Sequence, residues 1–316
     1  MTGFERALNE TFGEQQVTTG ASLAPFTTLR VGGPADWLVT VRSAPEAVQL
    51  ILLAREHGVP VTVLGGGSNL LVSDRGVRGV VMRVHGGDVS SIGDGLIRAD
   101  AGVTINGLVR WTINRGVSGL EAWAGTPGTV GGAIHGNAHF QGHLIGDLVA
   151  QVTVVTPNGD VQDVAAAAME FAYDYSRLHR TGEVVVAADF RVAAGEPQQL
   201  RSVARESLAF RKRTQPLEAA SAGCMFQNPD PYKDVVPEGI PASAGALVDR
   251  AGLKGAQVGG AHVSSRHANF IVNDGTATAD DVATLVDRCK REVQDRFGVM
   301  LREEVVRVGF ISPDQL

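Results

Sequence analysis

The chain has 316 residues, 44% of them hydrophobic and 20% charged, which is enough apolar length for two or three cored domains and too apolar for general disorder. Its 28 Lys and Arg against 34 Asp and Glu leave a net charge of −6, which excludes a broad counterion-release surface for nucleic acid. Cys224 and Cys289 stand far apart, which speaks for a reducing compartment and against a disulfide framework or a Cys-based zinc site.

No stretch approaches 18 consecutive apolar residues, and residues 1–14 carry Glu5 and Glu10 where an export signal would place a basic region before an apolar one. The chain therefore reads as cytoplasmic, with no membrane or nucleic-acid partner. After this polar leader, residues 37–41 read as a strand. Ser43-Ala44-Pro45-Glu46 reads as a helix start, Ser43 capping and Glu46 returning the bond, and apolar positions from Val48 to Ala54 run toward a stop at Gly58. Residues 61–64 follow as a short buried strand, completing a βαβ unit.

Short strands at 80–84, 96–99, 152–156 and 184–192 mark a second region. A helix over 104–115 interrupts them, with Ile105, Leu108, Val109 and Ile113 on one face and Gly116 as its stop. Residues 121–146 are glycine-rich and aperiodic, and a loop of that length is usually functional. Residues 193–197 read as a linker. The clearest later element is a helix over 280–297, with Val282, Leu285, Val286, Cys289, Val293 and Phe297 inward and Gly298 as its stop.

Glycine is over-represented, 39 of 316 residues, or about 12% against a usual share of roughly 7%. Gly65-Gly66-Gly67-Ser68-Asn69 lies between two apolar runs, and consecutive glycines let successive N–H groups converge on an anion. That suits a phosphate or diphosphate, although the loop lacks the Lys of a Walker loop and the helix that follows a Rossmann turn. The plain alternative is a tight turn. The cluster from Gly125 to Gly132 is a second such loop; two of them suit an elongated dinucleotide, and the alternative is a rigid connector.

His135, His139 and His143 recur every four residues, as metal ligands on a helix would. Gly136 and Gly142 spoil that helix and no carboxylate or Cys completes the set, so no metal is expected. Arg211-Lys212-Arg213 is either a solvated helix face or a grip on an anionic substrate. Cys224 follows Gly223 in a turn where a thiol is reachable, whereas Cys289 reads as a core residue. Glu304, among Val305, Val306 and Val308, is either exposed or in a partly apolar place where it would hold a proton near neutrality. Residues alone thus point to a dinucleotide-type ligand and an enzyme.

Six ordered strings carry a family resemblance. Residues 27–35 (TTLRVGGPA), 63–71 (VLGGGSNLL) and 125–133 (GTPGTVGGA), then 221–229 (SAGCMFQNP), 251–255 (AGLKG) and 267–273 (HANFIVN), resemble the UDP-N-acetylenolpyruvoylglucosamine reductase (MurB) family. The resemblance spans roughly residues 25 to 309. It implies an α+β chain: a two-subdomain FAD-binding domain of the vanillyl-alcohol-oxidase (PCMH) type, followed by a C-terminal α/β substrate-binding domain. The expected divisions are 1–78 (leader and first FAD subdomain), 79–193 (second FAD subdomain) and 200–316 (substrate domain). The short stretch between Asp189 and Leu200 implies the compact subgroup, without an insertion that some members carry.

The resemblance implies FAD as cofactor, NADPH as reductant and UDP-N-acetylglucosamine enolpyruvate as substrate, in peptidoglycan precursor synthesis, by a monomer. It assigns FAD contacts to Arg30, Leu64, Gly65, Gly66, Gly67, Ser68, Asn69, Gly125, Thr126, Pro127, Gly131, Gly132 and Asn137. Tyr173, Arg211, Gln215 and Asn228 match substrate-binding positions. Cys224 occupies the place of a Ser that commonly supplies the proton, and Glu304 matches a C-terminal acid assisting the enolate. One departure stands out: the family's Tyr-Arg pair, whose Arg steadies the enolate, aligns with Tyr173-Asp174, and Arg177 is the expected substitute, with Arg180 as the other candidate. The alternative is a diverged FAD-binding protein with another acceptor or no turnover.

Overall fold

A computed structural model describes residues 3–310; the outer ends of the expected ranges 1–78 and 200–316, residues 1–2 and 311–316, lie outside the described residues. The chain forms two compact units. One takes the leader through Ala21, then Ala35–Gly66 and Arg78–Phe210; the other takes Ser22–Pro34, Gly67–Val77 and the chain from Arg211 on.

The first unit holds two sheets, each over its own apolar core. One sheet has the strand order Val17–Thr19, Ala35–Val41, Val77–Val84, Val61–Leu64. Its last strand runs parallel to its neighbour and sits at the edge, so Val63 is 43% exposed where a buried strand was expected; only Leu64 is buried. The helix Ala44–Glu56 starts at Ser43, whose hydroxyl accepts the Glu46 N–H at 3.4 Å. Glu46 returns its own bond one residue earlier than expected, accepting the Arg42 N–H at 2.7 Å. The polar leader is itself a helix, Gly3–Phe12, because Phe4, Leu8 and Phe12 recur every fourth residue and bury one stripe.

The second sheet is antiparallel, in the order Val161–Ala165, Val149–Val155, Val184–Arg191, Leu96–Asp100, Val89–Gly93. Helix Ile105–Asn114, capped by Thr104, buries Ile105, Leu108, Val109 and Ile113 in its core. The stretch 121–146 is not wholly loop. It contains the helix Val130–His135 and the paired strands His139–Phe140 and His143–Leu144.

Nor are residues 193–197 a linker. Ala193–Ala194 pairs with Val117–Ser118, and the helix Pro197–Thr214 begins at once. Leu200 and Ala204 on that helix join the core of Trp123 and Phe190, so the first unit continues through Phe210.

The second unit is built on the antiparallel order Ala220–Ser221, Ile271–Asn273, Ala261–Val263, Gln257–Val258. Helix Ala279–Phe297 buries Val282, Leu285, Val286, Cys289 and Val293. It opens on a complete capping box between Thr278 and Asp281 and ends at Gly298, φ 69°. Burial pushes the Cys289 thiol up to about 12, so it stays an inert core group. Leu70–Val72 runs parallel to Val306–Val308, and Leu29, Val31 and Leu71 pack into the core of Phe226 and Leu285. Segments 22–34 and 67–77, expected in the first FAD subdomain, therefore belong to this unit. Among the described residues no helix is long and apolar enough to cross a membrane.

Candidate active site

Leu64 ends its strand at the glycine loop. A methyl on Gly66 would stand 2.6 Å from the Gly128 Cα, and one on Gly65 2.7 Å from the Thr129 Oγ1, so the two glycine loops meet backbone to backbone. Gly67 adopts φ 60°, and its carbonyl accepts the Thr28 N–H at 3.0 Å. None of the turn and loop hydrogen bonds among the described residues draws on the N–H of Gly65, Gly66 or Ser68. Adjacent donors on a backbone without side chains suit a diphosphate, and in this respect the loop fits FAD.

The second loop is braced from behind. The Val130 N–H donates to Val103 O and the Gly131 N–H to Ala101 O, both at 2.9 Å. Thr129 Oγ1 accepts the Gly132 N–H at 3.4 Å. The Gly131 and Gly132 amides, expected to face the cofactor, are thus engaged within the fold. Asn106, which sequence reasoning passed over, accepts the Gly125 N–H at 2.7 Å and donates to Thr126 O at 3.1 Å.

Asn137 is fully buried. Its amide donates to Ala172 O at 2.7 Å and its oxygen accepts the Gly146 N–H at 2.9 Å. It is a strut between this region and the turn 172–175. Tyr173 and Asp174 form the tip of that turn, where Ala172 and Tyr175 exchange backbone bonds at 3.0 and 3.2 Å and Asp174 takes φ 51°. Asp174 Oδ1 lies 3.0 Å from His139 Nδ1.

Arg177 does not turn toward Asp174. Its guanidinium grips Glu183 in a two-point pair, with Nε at 2.9 Å from Oε2. That hydrogen bond holds the Glu183 carboxyl below its usual range. Arg180, the other candidate substitute, pairs with Glu170. The expectation that Arg177 replaces the missing cation fails on this geometry, because its charge is already neutralised in a pair.

The histidine row is broken as well. Helix Val130–His135 ends at the first histidine, whose ring stacks on His179 at 4.3 Å, while His139 and His143 lie on paired strands.

In the second unit, segment 224–227 is held on both sides. Asn269 accepts the Phe226 N–H at 2.9 Å through Oδ1 and donates to Phe226 O at 2.7 Å; its own carbonyl accepts the Met225 N–H at 2.8 Å. On the other side the Glu304 N–H donates to Met225 O, and the Gln227 N–H to Arg302 O, both at 2.9 Å. Cys224 and Glu304, both half-buried, thus lie on adjacent segments joined by the antiparallel bridge Phe226–Glu303. Sequence reasoning quoted Asn269 in a motif without a role; its signal was a buried amide between two apolar neighbours.

Arg211 is buried near the end of Pro197–Thr214. Burial lowers its pKa to about 10, and the charge that Cys224 carries when ionised opposes that fall. The guanidinium therefore stays charged at neutrality, in the field of the Cys224 sulfur. Asn228 Oδ1 accepts the Ala244 N–H at 3.1 Å, and Gln215 O accepts from Arg266 at 2.9 Å. Arg30, exposed and at φ 59°, closes a turn onto Thr27 O at 3.2 Å.

Residues 215–308 match the C-terminal domain of UDP-N-acetylenolpyruvoylglucosamine reductase, and residues 35–165 match an FAD binding domain. UDP-N-acetylenolpyruvoylglucosamine reductase 2 of Symbiobacterium thermophilum is 41% identical over 285 residues, covering 90% of this chain and 89% of that protein. This chain belongs to the UDP-N-acetylenolpyruvoylglucosamine reductase family. A second member of the family, from Heliobacterium modesticaldum, is 40% identical over 290 residues, 91% of this chain and 89% of its own. The crystal structure of the Thermus caldophilus reductase superposes with a TM-score of 0.77 at 34% identity, covering 93% of this chain and 98% of that one. The glucose dehydrogenase Phl p 4.0202 shares the fold alone, at 17% identity and a TM-score of 0.51 over 62% of this chain and 45% of that one.

Proposed function

We propose that this chain is the FAD-dependent reductase that converts UDP-N-acetylglucosamine enolpyruvate to UDP-N-acetylmuramate with NADPH, acting in the cytoplasm as a monomer. The observation that carries this reading is similarity to reductases of that name over 90–93% of this chain, supported by the backbone bond from Glu304 to Met225, the residue after Cys224.

FAD, when bound, would supply two-electron (hydride-transfer) chemistry between NADPH and the methylene carbon of the enol ether. The N–H groups of Gly65, Gly66 and Ser68 would hold its diphosphate. The Cys224 Sγ–H gives its proton to the alpha carbon and is reprotonated from solvent, so one hydride and one proton saturate the double bond. The Glu304 carboxyl, which can do so only while protonated, donates a hydrogen bond to the charge that gathers on the substrate carboxylate before that proton arrives. Arg211, Gln215 and Asn228 bind the substrate, Arg211 by charge.

The test is anaerobic. Purified protein is reduced with NADPH, mixed with UDP-N-acetylglucosamine enolpyruvate in a stopped flow, and followed by flavin absorbance. Rapid reoxidation is the expected result. A flavin that reduces but stays bleached overturns the substrate, and a protein that holds no flavin overturns the cofactor.

A further inference from the structure

Asn228 and Glu304 belong to two segments of the second unit that run side by side. The Gln227 N–H donates to Arg302 O and the Glu304 N–H to Met225 O, both at 2.9 Å, on either side of the antiparallel bridge Phe226–Glu303. Those two bonds set the spacing of the segments at the bridge. They do not hold the chain beyond Asn228, because Pro229, where the next donor of such a ladder would fall, has no N–H.

Beyond Pro229 the chain closes on itself as a turn over residues 230–234. The Asp234 N–H donates to Asp230 O at 2.8 Å, the Asp230 N–H to Asp234 Oδ2 at 2.6 Å and the Tyr232 N–H to Asp230 Oδ1 at 2.9 Å. Arg302 ties this turn to the neighbouring segment. It reaches Asp234 at two points, Nη2 to Oδ2 at 2.6 Å and Nη1 to Oδ1 at 3.3 Å. The Asp234 side chain is 12% exposed, and the guanidinium holds its carboxyl below the usual range. A two-point pair of this kind fixes direction as well as distance.

The other charges beside Glu304 are committed elsewhere. Glu303 meets Lys290 at 3.0 Å and Arg307 at 2.7 Å, and Arg307 also meets Asp287 at 2.8 Å. These pairs fasten the segment to helix Ala279–Phe297, whereas the pair of Arg302 and Asp234 fastens it to the turn that follows Asn228.

We propose that Arg302 and Asp234 are positioning residues for the substrate, their ion pair holding the Asn228 end of the binding surface in register with Glu304. Both act through those two residues. The inference rests on the function proposed above, which sets Asn228 on the substrate and Glu304 at its carboxylate.

The experiment uses the full flavin-loaded chain. The dissociation constant of UDP-N-acetylglucosamine enolpyruvate is read from the absorbance change of the oxidised flavin, and reoxidation at saturating substrate from stopped flow. Asp234→Asn and Arg302→Gln are each expected to weaken binding roughly tenfold and to slow saturated reoxidation by less. Together they are expected to lose no more than either alone, since both remove the same pair. The exchange of Asp234→Arg with Arg302→Asp is expected to recover most of the binding. Lys290→Met removes a pair of similar exposure while Arg307 still holds Glu303, and is expected to bind substrate as the wild type does. Wild-type binding in both Asp234→Asn and Arg302→Gln overturns the proposal. So does a loss of the same size in Lys290→Met, which marks a general loosening of the fold. A wild-type flavin that NADPH reduces but this substrate neither perturbs nor reoxidises overturns the underlying function instead, and the positioning role falls with it.

Discussion

The side-chain amide of Asn69 donates to the main-chain carbonyl of Glu304 at 3.0 Å, and the Asn69 carbonyl accepts the Val306 N–H at 3.0 Å. The last residue of the glycine loop is therefore clasped to the segment that presents the proposed acid, across 235 positions of sequence. Asn69→Leu keeps the volume and removes the amide donor. Losing one such bond costs about 1 kcal/mol, so FAD affinity and the reoxidation rate are both expected to fall, each by roughly fivefold. Flavin titration and stopped-flow reoxidation check this. Glu304→Gln is the contrast, since it changes the rate and leaves the clasp to the flavin loop intact.

Cys224 sets the alkaline limit. A thiol donor works only while protonated, so turnover falls as pH rises through the thiol's pKa, ordinarily about 8.5. Cys224→Ser is expected to flatten that alkaline limb. An unchanged kcat–pH profile in Cys224→Ser would remove the thiol from the proton-donating role.

Arg177 is expected to matter for stability and not for reoxidation. Its pair with Glu183 is largely buried, at 21% and 7% exposure, and Arg177→Ala leaves a buried carboxylate without its partner, at a cost of about 3 kcal/mol. Because the pair lowers the Glu183 pKa, its contribution is present above the usual carboxylate range and is lost as pH falls through the lowered value. Thermal melts from pH 7 to pH 3 are expected to converge for wild type and Arg177→Ala at the acid end. Curves that stay parallel throughout would contradict this.

His135 produces a second acid-side loss. Burial first, and then the neighbouring His179, lower its pKa from 6.5 to about 4. The folded state thus binds the proton later than the unfolded chain does, so stability is full above pH 6.5 and declines as pH falls toward 4. The decline amounts to about 3 kcal/mol at most. His135→Phe, which keeps a flat ring to stack on His179, is expected to remove this part of the acid sensitivity in urea titrations at pH 7 and pH 4.5.

Local signals were legible wherever neighbours in sequence are also neighbours in space. Ser43, Thr104 and Gly298 announce helix ends because a cap bonds within one turn. The inward faces of Ile105–Asn114 and Ala279–Phe297 follow from periodicity alone. The six motif strings carry the family's signature, because close backbone approach leaves glycine as the one residue that fits at positions such as Gly66.

What periodicity could not assign was the partner of a polar group far away in sequence. Asp174 alone reads as a misplaced charge, and Arg177 as its natural remedy three residues on. Folding instead spends Arg177 on Glu183 and brings in His139 from a different strand pair. Asn137 braces the turn 172–175, and Asn269 clamps Met225 and Phe226, the two residues after Cys224. The order of residues determined the cofactor class, the ends of the capped helices and the chemistry available. Tertiary structure decided which charges neutralise one another, because a buried hydrogen bond or ion pair needs atoms within about 3 Å, and sequence spacing carries no information on that distance once the chain has turned back on itself.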